Sequence, residues 1–416
     1  MSMAACILDR TLLIISGGPE TVPGIQRAKD MGLHVVVSDG NIDAPGFHIA
    51  DDYFVASTYD ISDTLNKAKH YHEDIRKIDG VICIASDVPL TVASVAKELG
   101  LPGISIETAK LAADKLAMKK KFIDCGIATP EFVELSNIAE LKKVIDDWGF
   151  PLVLKPTDSR GARGVLKLTK DIDISWAWDH SKQNSSQGKL IVEKFLDGPQ
   201  VSTEAIIVDG IGYPIGLSDR NYEYLDKFSP YIIENGGGFP SHINSDDQQK
   251  ISTLAIKAGL ALGITNGVAK GDIVLTEKGP VVIEIAARLS GGWFSTDQIP
   301  LGLGVDIVGA AIRIALGEKI DINALKPKKR MGIAVRYFFP EPGFVKNINF
   351  ADKYSAYEWV HRLGFFVGPG EILYEVTNHT KRAGFVITSG STKDHAVQRA
   401  NAVISGIQID TSKNLN

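Results

Sequence analysis

The sequence predicts a multidomain protein in which a doubly wound α/β unit is followed by blocks of mixed α+β structure. The first hundred residues alternate short apolar runs with amphipathic segments, in the order 12–16, 25–31, 34–38, 64–76, 81–85 and 92–99. This alternation is typical of a parallel sheet with crossover helices. Because 416 residues exceed one ordinary hydrophobic core, we expect two or three cooperating domains.

Patterns after residue 100 predict the α+β blocks. Ser105 and Thr108 are suited to cap one helix that runs through Asp114 to Ile123. Further strands and helices are predicted at 152–155, 164–169, 190–195, 202–208, 246–262, 269–276, 279–285, 332–339, 384–389 and 392–405. The strands 269–276 and 279–285 are separated by two residues, which predicts a hairpin with side chains of both strands on one face.

Composition restricts the class of protein. The net charge of -5 argues against a polyanionic partner such as nucleic acid, and no apolar stretch approaches the roughly 20 residues of a membrane span. We therefore expect a soluble, cytoplasmic protein with neither a nucleic-acid nor a membrane partner. Cys6, Cys83 and Cys125 are widely separated, so they predict reduced, structural thiols instead of a disulfide framework or a metal cluster.

A glycine-rich loop between two strands carries the strongest chemical signal. Lys155 ends the first strand, and Gly161 and Gly164 punctuate the loop that returns to the second. Glycines let backbone N–H groups approach an anion closely, and the lysine adds a compact positive charge. The loop lacks the G-K-[ST] of a Walker A motif and precedes a strand. It predicts a phosphate-binding hairpin, with an ordinary basic β-turn as the alternative.

Two acidic residues form the second signal. Asp272 and Glu284 lie on opposite strands of the predicted hairpin, among apolar neighbours. Mg²⁺ commonly takes one or two carboxylates together with substrate phosphates, so the pair predicts a metal site, with surface carboxylates as the alternative. A third segment, 192–196, ends a strand beside a hinge, where backbone groups could bind an adenine edge and Phe195 and Leu196 could cover its faces.

In this order, the segments resemble the ATP-grasp superfamily, and the resemblance covers the whole chain. It implies a Rossmann-like domain at 1–104, an ATP-grasp domain of two α+β subdomains at 105–318 and a small C-terminal α+β domain at 319–416. The lid subdomain is expected at about 150–197.

The resemblance also implies roles for individual residues. Nucleotide-binding positions are Lys115, Lys155, the lid-loop residues Ser159, Arg160, Gly161 and Gly164, and the clamp residues Glu193, Lys194, Phe195 and Leu196. Asp272 and Glu284 match the Mg²⁺ ligands, and Arg288 matches the arginine that stabilises an acyl-phosphate transition state, with Lys155 as its catalytic companion. The implied cofactors are ATP and Mg²⁺, with Mn²⁺ as an alternative metal.

Within the superfamily, the pattern from Glu284 to Trp293 is most similar to the L-amino-acid ligase branch of carboxylate-amine ligases. The segment that begins at Arg382 resembles the C-terminal domain of those ligases and of biotin carboxylase-like enzymes. Ala286 stands where the family often has a metal-binding asparagine, and the resemblance implies Glu204 as the substitute ligand.

The implied reaction activates a carboxylate as an acyl phosphate, passes it to an amine and releases ADP and phosphate. Amino acids are the expected carboxylate and amine substrates, and a homodimer is left open. Expected substrate positions are Asp219, Arg220, His242, Ser290, Gly291 and Trp293. The alternatives are an ATP-grasp phosphotransferase, a bicarbonate-activating carboxylase and a non-catalytic ATP-binding protein. A Ser-His-Asp hydrolase is excluded because the sequence has no G-x-S-x-G elbow.

Overall fold

A four-stranded parallel sheet, here called the N-terminal sheet, opens the computed structural model, which describes residues 9–413. Its order is β3-β2-β1-β4. The elements are β1 (Thr11–Ile15), α1 (Val22–Asp30), β2 (His34–Asp39), β3 (Asp52–Val55), α2 (Ile61–His70), β4 (Gly80–Ile82) and α3 (Pro89–Glu98). Alternate residues of β1 enter separate cores: Leu12 packs with Ile25 of α1, and Leu13 with Val95 of α3. The predicted doubly wound unit is confirmed.

Two short helices connect this unit to the next sheet, where the sequence predicts one. They are α4 (Ile106–Ala113) and α5 (Lys115–Asp124). Ser105 caps α4 as predicted, because its hydroxyl accepts a hydrogen bond from Thr108 N at 3.0 Å. Asp114 adopts an extended conformation, and its carboxylate accepts from the amides of Leu116 and Ala117. The prediction of one continuous helix is wrong because Asp114 is an N-cap, and Lys115 consequently begins a new helix.

The second sheet, here called the small sheet, is antiparallel and has the order β5-β8-β6-β7. Its elements are β5 (Phe132–Leu135), α6 (Ile138–Trp148), β6 (Leu152–Pro156), β7 (Leu166–Leu168), α7 (Ile174–Gln183) and β8 (Leu190–Lys194). The predicted strands at 152–155 and 190–195 are present. Because β5 and α6 also belong to this unit, it begins before the predicted lid limit of about 150. Gly198 then leads into the third sheet with φ +133°, and a Cβ there would lie 2.1 Å from Leu275 O.

The third sheet, here called the large sheet, has eight strands in the order β13-β12-β9-β10-β11-β14-β18-β16. They are β9 (Gln200–Val208), β10 (Ile211–Arg220), β11 (Gly237–Phe239), β12 (Gly267–Thr276), β13 (Gly279–Ala286), β14 (Gly332–Phe338), β16 (Val360–Phe365) and β18 (Gly384–Gly390). Strand β11 pairs with β14, so the sheet continues across the limit predicted between 318 and 319. The domain limits themselves remain a prediction.

The remaining helices and a separate three-stranded sheet, in the order β17-β15-β19, complete the structure. The helices are α8 (Ser245–Ala261), α9 (Ile299–Leu303), α10 (Ile307–Ala315), α11 (Ala351–Ser355) and α12 (Lys393–Gly406), and the strands are β15 (Gly343–Asn349), β17 (Ile372–Leu373) and β19 (Gln408–Ser412). Within residues 9–413, no helix is long and apolar enough to cross a membrane. Cys83 is buried and Cys125 exposed, whereas Cys6 lies outside the described residues.

Candidate functional site

A cavity of about 980 Å³ lies where the three sheets meet. The N-terminal sheet contributes Glu20 and Asp87 to its lining, the small sheet contributes Lys155 and Glu193, and the large sheet contributes Asp272. Ligand pockets are commonly about 300–1,000 Å³, so this cavity is large enough for a nucleotide together with a second small molecule.

The predicted acidic hairpin lies in the wall of this cavity. Asp272 and Glu284 are directly opposite each other in the register of β12 and β13, and a bulge follows Asp272. Asp272 is buried, and its Oδ1 forms an ion pair with Arg220 Nη1 at 2.8 Å and accepts a hydrogen bond from Ser202 Oγ at 3.1 Å. Its other oxygen pairs with Lys270. Burial alone would raise the pKa of Asp272, but the charges of Arg220 and Lys270 outweigh it and lower the pKa. Asp272 is therefore held as a carboxylate.

Glu284 is joined to the lid loop through one lysine. Lys115 Nζ lies 3.5 Å from Glu284 Oε2 and donates a hydrogen bond to Ser159 O at 2.6 Å. Burial raises the pKa of Glu284, but the charges of Lys115, Lys270 and Lys155 together outweigh this effect, and the pKa is lowered. The break of the helix at Asp114 matters here because Lys115 is the first residue of α5 and its amide also donates to Thr157 O at 2.9 Å.

A buried ion triad supports the lysine that ends β6. Lys155 Nζ lies 2.8 Å from Glu193 Oε1, and Lys119 Nζ lies 3.0 Å from the same oxygen. The Lys119 side chain is completely buried, and burial lowers its pKa to about 8. Burial raises the pKa of Glu193, but the two lysines outweigh it, so the net shift is downward. One carboxylate thus compensates two buried ammonium groups.

The lid loop (159–164) contacts both flanking parts of the chain. Its Gly161 and Gly164 have φ values of +61° and +70°, which glycine adopts without strain. His379 N donates to Gly161 O at 3.1 Å, and the Arg160 guanidinium lies 4.9 Å from the Tyr59 ring centroid. The loop therefore closes over the cavity between the N-terminal unit and a turn near the C-terminus.

Arg288 lies in the cavity wall with most of its side chain covered. Its Nε donates to Asp87 Oδ1 at 2.7 Å, across 201 positions of sequence. Burial lowers the pKa of Arg288, but the charge and hydrogen bond of Asp87 outweigh it and raise the pKa. This placement differs from that of a surface ion pair, because the side chain is only 9% exposed and lines the cavity.

The other sequence-predicted positions divide into two groups. The structure brings the following to the cavity: Lys115, Lys155, Ser159, Arg160, Gly161, Glu193, Lys194, Phe195, Leu196, Arg220, Ser290 and Gly291. Gly164 lies beside the cavity in the lid loop. The structure does not bring Glu204, Asp219, His242 or Trp293 to the cavity lining.

Each of these four has another environment. Glu204 is buried behind the wall, where its Oε1 accepts from Ser290 N at 3.1 Å and Ser295 Oγ at 2.9 Å, so its placement does not support the expected metal role. Asp219 accepts from His242 N and pairs with a lysine of α12. His242 itself is exposed. Trp293 is buried and stacks on Phe385, with ring centroids 3.6 Å apart, so it packs in the core instead of against a ligand.

Comparison with known proteins identifies the central part of the chain. The ATP-grasp domain family matches residues 112–292. Residues 112–292 are therefore similar to an ATP-grasp domain. A second family, described as L-amino acid ligase C-terminal domain 2, matches residues 336–412. The predicted ATP-grasp fold and the resemblance to L-amino-acid ligases are thereby confirmed.

Individual relatives carry ligase names. A D-alanine–D-alanine ligase of Cupriavidus taiwanensis is 25% identical over 56% of this chain and 72% of its own length. The alanine–anticapsin ligase of Bacillus subtilis is 24% identical, and the match covers 64% of this chain and 61% of that protein. An L-amino acid ligase from Bacillus licheniformis has a similar solved fold, with a TM-score of 0.82, 20% identity and coverage of 97% and 99% of the two chains.

Sequence reasoning missed several charged or aromatic residues around the cavity. Glu20, Glu234, Lys270, Tyr337 and Arg382 all line it. They belong to distant segments, so no local motif connects them. Two sequence features lie next to these residues: the glycine-rich turn before Glu20 and the C-terminal segment that begins at Arg382. Neither feature indicates a role in the cavity by itself.

The acidic hairpin is the candidate metal site of the cavity. Asp272 and Glu284 offer two facing carboxylates, which suits Mg²⁺ when phosphates and water supply the other ligands. Within residues 9–413, no group of three or more His, Cys, Asp or Glu side chains is arranged to hold a metal ion. The donor set therefore fits a metal that is shared with a phosphate substrate, and does not fit a site built entirely from protein ligands.

Proposed function

We propose that this protein is an ATP-dependent carboxylate-amine ligase that activates one amino acid as an acyl phosphate and joins it to an amine. The observation that carries the proposal is the meeting, in one cavity, of two facing carboxylates, two lysines near the glycine-rich loop and the arginine Arg288. These groups correspond to the needs of phosphoryl transfer, in which catalysis is mostly positioning and charge stabilisation.

The phosphate groups of ATP bind between the small sheet and the lid loop in this proposal. Lys155 and Lys115 supply positive charge, and Gly161 and Gly164 allow backbone amides to approach the phosphate oxygens. Apolar side chains that line the same cavity, including Phe195 and Leu196, suit the faces of an adenine base. The closed lid loop excludes water, which protects a reactive acyl phosphate from hydrolysis.

Asp272 and Glu284 would hold Mg²⁺, with Mn²⁺ as an alternative. The metal would supply charge neutralisation at the transferring phosphoryl group. Lys270 and Arg220, which pair with Asp272 here, keep that carboxylate ionised and oriented. Lys115 does the same for Glu284 while it holds the lid loop through Ser159 O.

Arg288 would bind the oxygens of the activated carboxyl group. It follows Glu284 by four residues and is oriented by Asp87. A guanidinium can donate two parallel hydrogen bonds to an oxyanion, which a lysine cannot reproduce. The amine nitrogen then forms a bond to the acyl carbon, the bond from that carbon to the phosphate oxygen breaks, and phosphate leaves as the amine loses a proton.

The amino-acid class of substrate is supported by the relatives. One is named as a ligase of D-alanine with D-alanine, and another as a ligase of alanine with anticapsin. Both names describe the joining of a carboxylate to an amine. The two bacterial relatives cover only part of this chain, so the identity of its own substrates is left to experiment.

The experiment incubates the purified protein with Mg²⁺-ATP and single or paired amino acids, and measures ADP, AMP, phosphate and ligated product. We expect ADP and phosphate in equal amounts, and a hydroxamate when hydroxylamine replaces the amine. Asp272→Asn and Glu284→Gln should abolish turnover. Glu277→Gln, an exposed acid in the turn of the same hairpin, is the matched control and should retain it. AMP formation, or ADP without free phosphate, would contradict the proposal.

A further inference from the structure

The wall of the cavity contains a buried carboxylate and a buried hydroxyl group that are each incompletely paired. Glu204 Oε2 and Ser290 Oγ have no hydrogen-bond partner among residues 9–413. Glu204 is 1% exposed and Ser290 is 2% exposed, so bulk water does not solvate either atom. Buried polar atoms in native structures nearly always have a partner, and a catalytic role is one of the reasons for an exception.

The two side chains lie close to each other. Ser290 N donates to Glu204 Oε1 at 3.1 Å, and Ser295 Oγ donates to the same oxygen at 2.9 Å. The Ser290 hydroxyl is near enough to the carboxylate to lower its pKa, although it makes no hydrogen bond of normal geometry with Oε2. Catalytic hydrogen bonds are often long or poorly aligned before substrate binds. The hydroxyl therefore lies within reach of a proton acceptor.

Ser290 lies on the cavity side of this pair, and Glu204 lies behind it. Ser290 lines the cavity and follows Arg288 by two residues, so a carboxyl group that Arg288 holds would lie near it. Glu204 belongs to the inner strand β9, where it is directly opposite Gly216 of β10 and Lys270 of β12. The sheet thus fixes the carboxylate, and a proton from the cavity would reach it through the serine.

The carboxylate of Glu204 is costly to bury. Burial raises its pKa to about 6. The charged groups that face it are Arg288, which lowers this pKa, and Lys270 on β12, which is itself paired with Asp272; its neighbour on β10, Gly216, carries no charge. Glutamine would keep the same acceptor oxygen without this cost. A carboxylate whose pKa lies near neutral pH is suited to accept a proton during a reaction.

We propose that Ser290 and Glu204 form a proton relay that deprotonates the amine as the new bond forms. This inference rests on the proposed ligase function. As the amine nitrogen bonds to the acyl carbon, its proton passes to Ser290 Oγ, and the hydroxyl proton of Ser290 passes to Glu204 Oε2. The bond from the acyl carbon to the phosphate oxygen then breaks, and phosphate leaves. Glu204 releases its proton to water after the lid loop opens. Ser290 is the catalytic residue, and Glu204 acts through it.

The test separates the two halves of the reaction. Acyl-phosphate formation is measured without an acceptor, by quenching into concentrated hydroxylamine, which traps the acyl phosphate chemically once the protein is denatured. Ligation is measured with an acceptor amino acid between pH 5 and pH 9. The variants are Glu204→Gln, Ser290→Ala and the double variant, with Glu277→Gln as the control on the exposed turn. Thermal stabilisation by Mg²⁺-ATP verifies that each variant is folded.

We expect Glu204→Gln and Ser290→Ala each to form the acyl phosphate at the wild-type rate and to ligate roughly a hundredfold more slowly or worse, the scale of general-base catalysis. The double variant should lose no more than either single variant, because the two residues act as a unit. The acceptor's own ammonium group titrates equally in all proteins. The ratio of wild-type to Glu204→Gln ligation rates should therefore rise as the pH increases through about 6, where Glu204 becomes a carboxylate, and stay level above it.

Several results would overturn the relay while the ligase assignment stands. They are a wild-type ligation rate in Glu204→Gln or Ser290→Ala, an equal loss of acyl-phosphate formation and ligation, which would make Glu204 a structural support, and a ratio of rates that does not change with pH. Ser290→Ala keeps the relay testable if Glu204→Gln does not fold. The absence of acyl phosphate from the wild type with every donor would overturn the ligase assignment, and the relay with it.

Discussion

Replacement of Glu193 by glutamine should lower the free energy of unfolding of the small-sheet unit. The loss should exceed that caused by the same replacement at an exposed glutamate of this unit. The carboxylate is the shared partner of Lys119 and Lys155, at 3.0 and 2.8 Å, and the Lys119 side chain is completely buried. Glutamine has nearly the same volume but no charge, so the variant leaves two buried ammonium groups without compensation. Breaking a buried pair in this way costs about 3–5 kcal/mol.

A matched control lies next to the triad, just before strand β5, which pairs with β8. Glu131 pairs with Lys194 at 2.9 Å, but both side chains are well exposed, at 66% and 42%. The same substitution, Glu131→Gln, should cost less than about 1 kcal/mol because water already screens that pair. The double variant Lys119→Met/Glu193→Gln should lose less than the sum of its single variants, since it removes one of the two uncompensated cations.

Urea unfolding followed by tryptophan fluorescence is a suitable assay. Three of the five tryptophans, at 148, 176 and 178, lie in helices α6 and α7 of the small-sheet unit. The midpoint of unfolding should fall much further for Glu193→Gln than for Glu131→Gln. Similar midpoints for the two variants would refute the assignment of Glu193 as the counter-ion of this core.

The pH dependence provides a second check on the same triad. Burial lowers the pKa of Lys119 from 10.5 to about 8, so the unfolded chain binds more protons than the folded chain between these values. Stability contributed by this lysine therefore rises as the pH increases from about 8 toward 10.5. In Lys119→Met this part of the pH dependence should be absent.

Three further predictions concern the cavity and its surroundings. Arg288→Lys should keep its ATP affinity but lose turnover by roughly a hundredfold; an unchanged rate of phosphate release would remove Arg288 from the mechanism. Burial raises the pKa of Glu204 from 4.5 to about 6, so the stability it contributes is present below pH 4.5 and is lost as the pH rises through about 6. Glu204→Gln should therefore stabilise the protein by about 2 kcal/mol at pH 7.5 and have little effect near pH 4.5, as measured by denaturation; equal effects at both would contradict this. Tyr59→Ala removes the ring beneath Arg160 and should increase phosphate release relative to ligated product, because the lid loop then excludes water less well; an unchanged ratio would show that this contact does not hold the lid.

The sequence predicted those parts of the site that depend on local patterns. The two-residue turn predicted a hairpin that brings side chains of both strands onto one face, and in the structure a bulge after Asp272 places Asp272 opposite Glu284. Glycine and lysine spacing predicted the loop after Lys155. The roles of these residues in binding and catalysis remain predictions.

Features that depend on distant partners could not be predicted in this way. Asp219 looked available to a substrate, but its carboxylate accepts from Ser241 Oγ and His242 N and pairs with Lys393 of α12. Trp293 follows a glycine pair that looked like a ligand loop, yet its φ of +54° and the following helical turn bring the indole against Phe385. The ion pair of Asp219 with Lys393 and the stacking of Trp293 on Phe385 are decided by tertiary packing between segments distant in the sequence, which periodicity does not encode.

The continuity of the large sheet affects how this protein can be re-engineered. The two matched families meet on one sheet, since β11 at Gly237–Phe239 pairs with β14, and Ile333 and Val335 of β14 share a hydrophobic core with Leu289. A shortened chain that ends before β14 would expose an unpaired strand edge and an apolar face, both of which favour aggregation. Chimaeras that borrow the C-terminal segment of a related protein must therefore preserve the register of β11 with β14.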